Sequence, residues 1–183
     1  MDDNRAVIRD AKPEDAELIA KCVMAALGVD DSVGPAGCLK DICEDGETLY
    51  SWKNTRVCEL DGVPAGVMVS YEGSRYKAMR LRTFEWVKRC GGPDLLDNPM
   101  ETGDGEYYLD SLGALPQFRG SGIGRILLED AISRAKDAGY RDITLIADPM
   151  HPRLIAYYES IGFRTFGEEE TFFGSSFIHM RLS

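Results

Sequence analysis

Apolar residues recur along this chain with two spacings, and the switches between them mark its elements. Alternation is typical of strands, and a three-to-four-residue spacing is typical of amphipathic helices. In the first half, Asp61-Gly62 lies between two apolar runs, which predicts a tight turn and a hairpin. The predicted elements there are a strand over 5–9, a helix from Pro13 to about Leu27, a short helix near Cys38–Cys43, strands over 56–60 and 63–71, and a helix over 74–90.

The second half alternates strands with helices. Residues 142–147 are almost all apolar, as in a strand that is covered on both faces. Gly139 is a natural end for the helix before it. The predicted order is an acidic loop over 93–105, a strand from Tyr107 to Leu115, a helix from Ile123 to Ala138, the strand 142–147, a helix from Asp148 to near Gly162, and strands over 163–166 and 176–182. This order predicts a mixed α/β fold, with residues 1–183 as one domain.

Composition narrows the classes of partner. The hydrophobic content of 44% fits a globular core and excludes a disordered chain. The net charge of −10 disfavours nucleic acid as a partner. No apolar run approaches the length of a membrane span, and the first residues lack a signal-peptide pattern, so we expect no membrane partner and a cytoplasmic location. The acidity is uneven, since residues 117–153 carry six basic and five acidic side chains.

The five cysteines do not suggest a metal or disulfide framework. Their number is odd, none forms a Cys-x-x-Cys pair, and only two histidines are available. We therefore expect reduced, mostly buried thiols, and we expect neither a disulfide framework nor a metal site.

A glycine-rich turn carries the first chemical signal. The run Arg119-Gly120-Ser121-Gly122-Ile123-Gly124 lies between a predicted strand and a predicted helix. Glycines let backbone N–H groups approach a ligand, and a helix N-terminus adds partial positive charge and unpaired donors. The turn therefore indicates a phosphate site, although such a turn alone has low specificity.

A second motif makes the signal specific. The segment from Tyr158 to Phe163 ends with Gly162-Phe163, four residues after the tyrosine. Together the two motifs resemble the GNAT superfamily of acetyl-CoA-dependent N-acetyltransferases, whose phosphate loop falls on Arg119, Gly122 and Gly124. The resemblance, specific over about residues 107–163, implies an α+β fold with a mostly antiparallel central sheet flanked by helices and with splayed central strands.

The resemblance also implies a cosubstrate and its contacts. Backbone groups from Arg119 to Gly124 would bind the pyrophosphate of acetyl-CoA. Leu112 and Ala114 on the central strand would offer backbone groups to the pantetheine arm. A donor there would also polarise the thioester carbonyl. The implied reaction is the direct attack of a primary amine, of a small molecule or of a peptide, on the thioester.

Two side chains are candidates for proton transfer. Tyr158 aligns with the tyrosine that would protonate the leaving thiolate, but it also fits a packed helical stripe, which is the structural alternative. By strand alternation, Tyr108, Asp110, Leu112 and Ala114 share one face, so Asp110 is the carboxylate expected to accept the proton of the amine. Glu106 is the next candidate, and a solvated or ion-paired acid is the alternative for both.

The chain departs from the family pattern in the following helix. His151 stands where many relatives have Asn, and we expect it to contact the cofactor, to cap the helix or to lie exposed. Leu154 replaces a common Ala, and Ile146 replaces a common Glu, so no base is expected at position 146.

Three functions compete at this point. The first is an N-acetyltransferase acting on an amine acceptor, and the second is a non-catalytic CoA-binding module of the same fold. The third is a dinucleotide-binding domain, which fits poorly because its glycine motif follows the first strand. The sequence does not identify the amine acceptor. It also leaves both a monomer and a homodimer open.

Overall fold

The computed structural model describes residues 6–28 and 36–183. This part of the chain forms seven strands and five α-helices. They are β1 (Ala6–Asp10), α1 (Ala16–Leu27), α2 (Ala36–Glu44), β2 (Thr55–Leu60), β3 (Val63–Glu72), α3 (Gly73–Arg89), β4 (Glu106–Ala114), α4 (Ile123–Asp137), β5 (Asp142–Ala147), α5 (Pro152–Ile161), β6 (Arg164–Phe172) and β7 (Ser175–Leu182).

The described strands form one sheet in the order β1-β2-β3-β4-β5-β7-β6. Neighbouring strands are antiparallel except β4 and β5, which are parallel and are joined through α4. A parallel pair needs such a crossover, whereas antiparallel neighbours can be joined by a short turn. The predicted α+β fold, with a mostly antiparallel sheet flanked by helices, is confirmed.

Each face of the sheet is covered by its own set of helices. On one face α1, α2 and α3 bury a cluster that includes Ile19, Val23 and Tyr76. On the other face α4 buries Leu127, Leu128 and neighbouring residues, and α5 packs at the margin. Alternate residues of the central strands therefore point into two different cores.

The hairpin turn forms as its sequence predicts. Asp61 and Gly62 both adopt positive φ angles, 51° and 79°, and Leu60 pairs with Val63. Two positive φ angles give the turn a twist that matches the flanking strands.

The predicted strand over 163–166 is too short. β6 continues through Gly167 and three glutamates to Phe172, with an irregular register between Phe166 and Glu170. The extension is exposed at the edge of the sheet, so it carries no apolar alternation. The predicted strand over 5–9 begins at Arg5, which lies outside the described residues, as do residues 29–35.

The expectation of reduced thiols is wrong for two of the five cysteines. Cys38 of α2 and Cys90, which follows α3, form a disulfide across 52 residues of sequence. Cys22, Cys43 and Cys58 are free and buried. The spacing gave no sign of the bond, because the fold alone places the two ends side by side.

Within residues 6–28 and 36–183, no helix has the length and apolar content needed to cross a bilayer. The same residues contain no group of three or more His, Cys, Asp or Glu side chains placed to hold a metal ion.

Candidate active site

The central strands separate and leave a V-shaped opening. β4 and β5 pair at only three positions, ending at Tyr108 and Thr144, although β4 continues to Ala114. From Ile143 onward β5 pairs with β7 on its other side. The predicted splay of the central strands is therefore present, and among the described strands none pairs with the β5-facing edge of β4 beyond Tyr108. An extended ligand can hydrogen-bond to such an edge.

The glycine-rich turn lies where β4 ends. Gly120 and Gly122 have φ angles of 81° and 85°, which favour glycine. Apart from the glycine and its two chain neighbours, no atom of the described residues lies within 4 Å of the position that a Cβ would take at either glycine, so the space beside them is open. Arg119 and Ser121 are exposed on the same turn.

The turn leads directly into a free helix N-terminus. α4 begins at Ile123 and has no side-chain cap. In the described part of the chain the N–H groups of Gly122, Ile123 and Gly124 donate to no acceptor, whereas those of Arg125 and Ile126 bond to the carbonyl of Gly122. Three adjacent free donors at the positive end of a 15-residue helix suit a phosphate.

The helix rests on β4 through Leu112. A Cβ at Gly124 would lie 3.9 Å from the Leu112 side chain, and Leu112 packs against the core under α4. The glycine-rich turn and the splayed strand therefore adjoin each other on the α4 face.

Asp110 is not on that face, which corrects the expected alternation. The register between β3 and β4 shifts at Val69/Ser70, which pair with Ser111 and Leu109, so Asp110 is an extra residue in β4. Such a bulge changes the phase of the strand. Asp110 points with Tyr108 toward the α1–α3 face, and Leu112 points toward α4.

Asp110 lies among hydroxyl groups and is partly buried. Its carboxylate accepts hydrogen bonds from Tyr71 Oη and from Ser111 Oγ, the latter at 2.8 Å. Burial, followed by the negative charge of Glu101, raises the pKa of Asp110 from 3.8 to about 7, against the lowering effect of the two hydrogen bonds. A carboxylate with such a pKa can accept a proton at neutral pH.

Glu101 is a second carboxylate in this cluster, and the sequence analysis did not select it. Its Oε2 accepts from Tyr108 Oη at 2.6 Å, and its Oε1 accepts from Tyr76 Oη at 3.1 Å. Burial raises its pKa, although both tyrosine hydrogen bonds oppose the shift. No sequence signal distinguished it from the other acids of the loop over 93–105, since its partners come from α3 and β4.

The second candidate base, Glu106, has structural partners. Its carboxylate accepts from Thr102 Oγ1 at 2.8 Å and from Thr144 Oγ1 at 3.2 Å, and Arg181 lies 3.8 Å away. These contacts fit the ion-paired alternative stated for this residue.

Tyr158 lies on α5 at the margin of the α4-side core. Its ring contacts Tyr157 and Phe163 at centroid distances of 5.8 and 5.9 Å. The hydroxyl forms no hydrogen bond within the described residues, and burial, followed by Tyr157, raises its pKa to about 12. The phenol therefore holds its proton at neutral pH.

The Gly-Phe signature ends the helix that carries Tyr158. Gly162 has a φ angle of 114°, and the N–H of Phe163 bonds to the carbonyl of Tyr158 at 3.1 Å. Phe163 is fully buried and anchors the helix end.

His151 precedes α5 and is exposed. Its side chain makes no capping hydrogen bond, and Nε2 lies 3.6 Å from the Asp148 carboxylate. The His151 side chain therefore does not cap the helix, and the expectation that it lies exposed is the one that fits.

Residues 100–183 match the family model described as the acetyltransferase (GNAT) domain. The chain is 34% identical over 100 residues to the mycothiol acetyltransferase of Propionibacterium freudenreichii, a match that covers 55% of this chain and 28% of that protein. It is 30% identical over 125 residues to N-acetyltransferase 8 of Rattus norvegicus, covering 64% of this chain and 53% of that protein. The chain thus spans about half or less of these relatives.

A solved structure of an acetyltransferase resembles the whole fold. It superposes with a TM-score of 0.74 at 27% identity and covers 97% of this chain and 98% of its own.

Proposed function

We propose that the chain is an acetyltransferase of the GNAT superfamily that transfers acetyl from acetyl-CoA to a primary amine; the match of residues 100–183 to the GNAT domain and the likeness of the whole fold to a solved acetyltransferase support this proposal. The observation that carries the proposal is the free N-terminus of α4 beside the opening between β4 and β5. An anion site and an unpaired strand edge are the two features that a phosphate-bearing pantetheine thioester requires.

The donor would bind along this opening. The N–H groups of Gly122, Ile123 and Gly124 would hold the pyrophosphate, with Arg119, Gly120 and Ser121 on the same turn. Backbone groups of Leu112 and Ala114 would pair with the pantetheine amides. His151 directly precedes α5, and its side chain would be a further contact to the cofactor.

The chemistry needs a base and an acid. The amine nitrogen would attack the thioester carbonyl, forming the C–N bond and expelling the thiolate. Asp110 would accept the proton that the nitrogen loses, and Tyr158 would donate its proton to the sulfur. The pKa values of about 7 and about 12 support these two roles, since one group is ready to accept and the other is protonated.

The charge around a nearby cleft supports an amine acceptor. A cleft of about 360 Å³ is lined in part by Glu101, which belongs to the same group of carboxylates and tyrosines as Asp110. Its lining contains His179 and five glutamates, which are Glu101, Glu106, Glu168, Glu169 and Glu170. Negative potential of this kind raises the local concentration of a cationic substrate.

The test is thiol release from acetyl-CoA with a panel of small amines and peptides. Tyr158→Phe retains the ring and removes the proton, so the rate should fall by about 10²–10⁴ with little change in CoA affinity. CoA binding without turnover on any amine would favour the non-catalytic module instead. Full activity of Tyr158→Phe would return Tyr158 to a packing role.

A further inference from the structure

A cluster of two carboxylates and three tyrosines lies under the α1–α3 face of the sheet. Its rings contact one another, with centroid distances of 6.3 Å for Tyr71–Tyr76, 5.8 Å for Tyr71–Tyr108 and 6.3 Å for Tyr76–Tyr108. Tyr71 donates to Asp110, whereas the other two tyrosines donate to Glu101. One aromatic group thus holds both acids by hydrogen bonds.

The charged and titratable groups that face this cluster come from every surrounding element. In addition to the two acids they are Tyr50 and Cys43 on the α2 side, Tyr71 of β3, Tyr76 and Arg80 of α3, Tyr108 of β4 and His179 of β7. Within the described residues neither Asp110 nor Glu101 forms an ion pair shorter than 4 Å. The positive charge of Arg80 lowers the pKa of Glu101 without forming an ion pair with it.

The loop that carries Glu101 is fixed at several points. The Arg80 guanidinium is buried, lies 4.7 Å from the Phe84 ring centroid and donates to three loop carbonyls, those of Leu95, Leu96 and Asn98. The Asn98 side chain in turn accepts from the N–H of Phe173 at 2.7 Å, which ties the loop to the β6–β7 hairpin. Glu101 is therefore held in place rather than free to swing into solvent.

We propose that Glu101 is a positioning residue for the base, and that its fixed carboxylate controls the proton affinity of Asp110 through charge. This inference rests on the proposed acetyl transfer. Two like charges buried without a cation between them do not stabilise a fold, whereas they keep a proton on one member of the pair. Because Glu101 also lines the open cleft, a proton on the pair can exchange with solvent there.

The deciding variant is Glu101→Gln, which retains an acceptor oxygen for the tyrosines and removes the charge. Without that charge Asp110 releases its proton at lower pH. The acidic limb of the kcat/KM profile should therefore move down by about one pH unit, with a plateau within about threefold of wild type. We express kcat/KM at pH 5.5 as a fraction of the plateau value of the same protein. This fraction should be about ten times larger for the variant than for wild type. A residue that served only packing would not produce this gain.

Glu168→Gln is the matched control, since it removes the same charge from the rim of the same cleft without a tyrosine contact in the described structure. Its acidic limb should move by less than about 0.3 pH units. Thermal unfolding of both variants checks that each is folded. An unchanged limb in Glu101→Gln would overturn the inference. So would a loss as large as that of Asp110→Asn at every pH, because Glu101 would then be the base itself.

A measurement without turnover separates this inference from the proposed function. Carboxyl carbon NMR titration of the free protein, with Asp110→Asn used for assignment, reports the proton affinity of Asp110 directly. A downward shift in Glu101→Gln supports the inference even if no amine in the panel is acetylated. An unshifted Asp110 titration overturns it even if the enzyme proves active.

Discussion

The glycine-rich turn at the start of α4 and the carboxylate–tyrosine cluster around Asp110 and Glu101 are built in opposite ways. The turn is six consecutive residues, Arg119 to Gly124, whose backbone angles and free N–H groups follow from local glycines and a helix start. The cluster gathers side chains from α3, β3, β4 and a loop, with sequence separations of 39, 25 and 7 residues between hydrogen-bonded partners. A site that consists of backbone donors can be predicted from a short sequence motif. A site whose chemistry depends on the pKa values of its side chains cannot, because those values depend on which groups the fold brings together.

The sharpest way to test the cluster is to neutralise Asp110. Asp110→Asn retains the size and an acceptor oxygen but cannot take a proton at neutral pH. The value of kcat/KM should fall by about 10²–10⁴, as expected for loss of a general base. Steady-state kinetics with an active amine measure it. Asp97→Asn, an exposed acid of the preceding loop, is the control; if it lost as much, the effect would not be specific to the cluster.

The raised pKa of Asp110 also predicts how stability varies with pH. The folded protein retains a proton on Asp110 up to about pH 7, whereas the unfolded chain releases it near the usual 3.8. The folded state therefore binds more protons in this window, and Asp110 lowers the free energy of unfolding as the pH rises through it. Asp110→Asn should thus gain about 1–3 kcal/mol on wild type between pH 4 and pH 7.5.

Urea unfolding at several pH values measures this difference. If the difference in unfolding free energy between the two proteins stays constant from pH 4 to pH 7.5, Asp110 has an ordinary pKa. The cluster would then have no electrostatic effect that distinguishes it from the glycine-rich turn.

The glycine-rich turn is tested by comparing valine substitutions at two glycines, one in the turn and one far from it. Gly122→Val adds a β-branched side chain at a φ of 85° beside the free donors, so CoA affinity should fall at least about tenfold, or about 1.4 kcal/mol. Gly139→Val, at a φ of 87° after the other end of α4, imposes a similar backbone strain far from the turn. Calorimetry with CoA should show normal affinity there. Equal losses in both variants would mean that strain, not site geometry, is responsible.

The smallest expected effect comes from Tyr71. Tyr71→Phe removes the hydrogen bond that stabilises the ionised Asp110, so the pKa of Asp110 should rise further. The acidic limb of kcat/KM should move up by about half to one pH unit. This is opposite in sign to the shift expected for Glu101→Gln, so the pH profiles of the two variants bracket the wild type. Tyr107→Phe, whose hydroxyl lies 3.2 Å from Ser70 Oγ, is the control and should leave the limb in place.

Much of the fold was predictable because its signals are local. The helices, the Asp61-Gly62 turn and the strand–turn–helix unit around Gly122 follow from residue spacing and glycine placement, and the resemblance to GNAT acetyltransferases rests on two short motifs. The extension of β6 was missed because an exposed edge strand needs no apolar alternation. The roles of Asp110, Tyr158, His151 and the backbone groups of Leu112 and Ala114 remain predictions that the proposed experiments test.

The sequence by itself determined the order of elements, the glycine conformations and the free donors at the start of α4, because each depends on neighbours within a few residues. Only the tertiary structure decided three other features. A single extra residue in β4 turns Asp110 away from the face of Leu112. Packing of α2 beside the end of α3 joins Cys38 to Cys90. The anchored loop brings Glu101 into the same tyrosine cluster as Asp110. Strand register, disulfide pairing and electrostatic coupling all depend on contacts between distant segments, and no local pattern encodes those contacts.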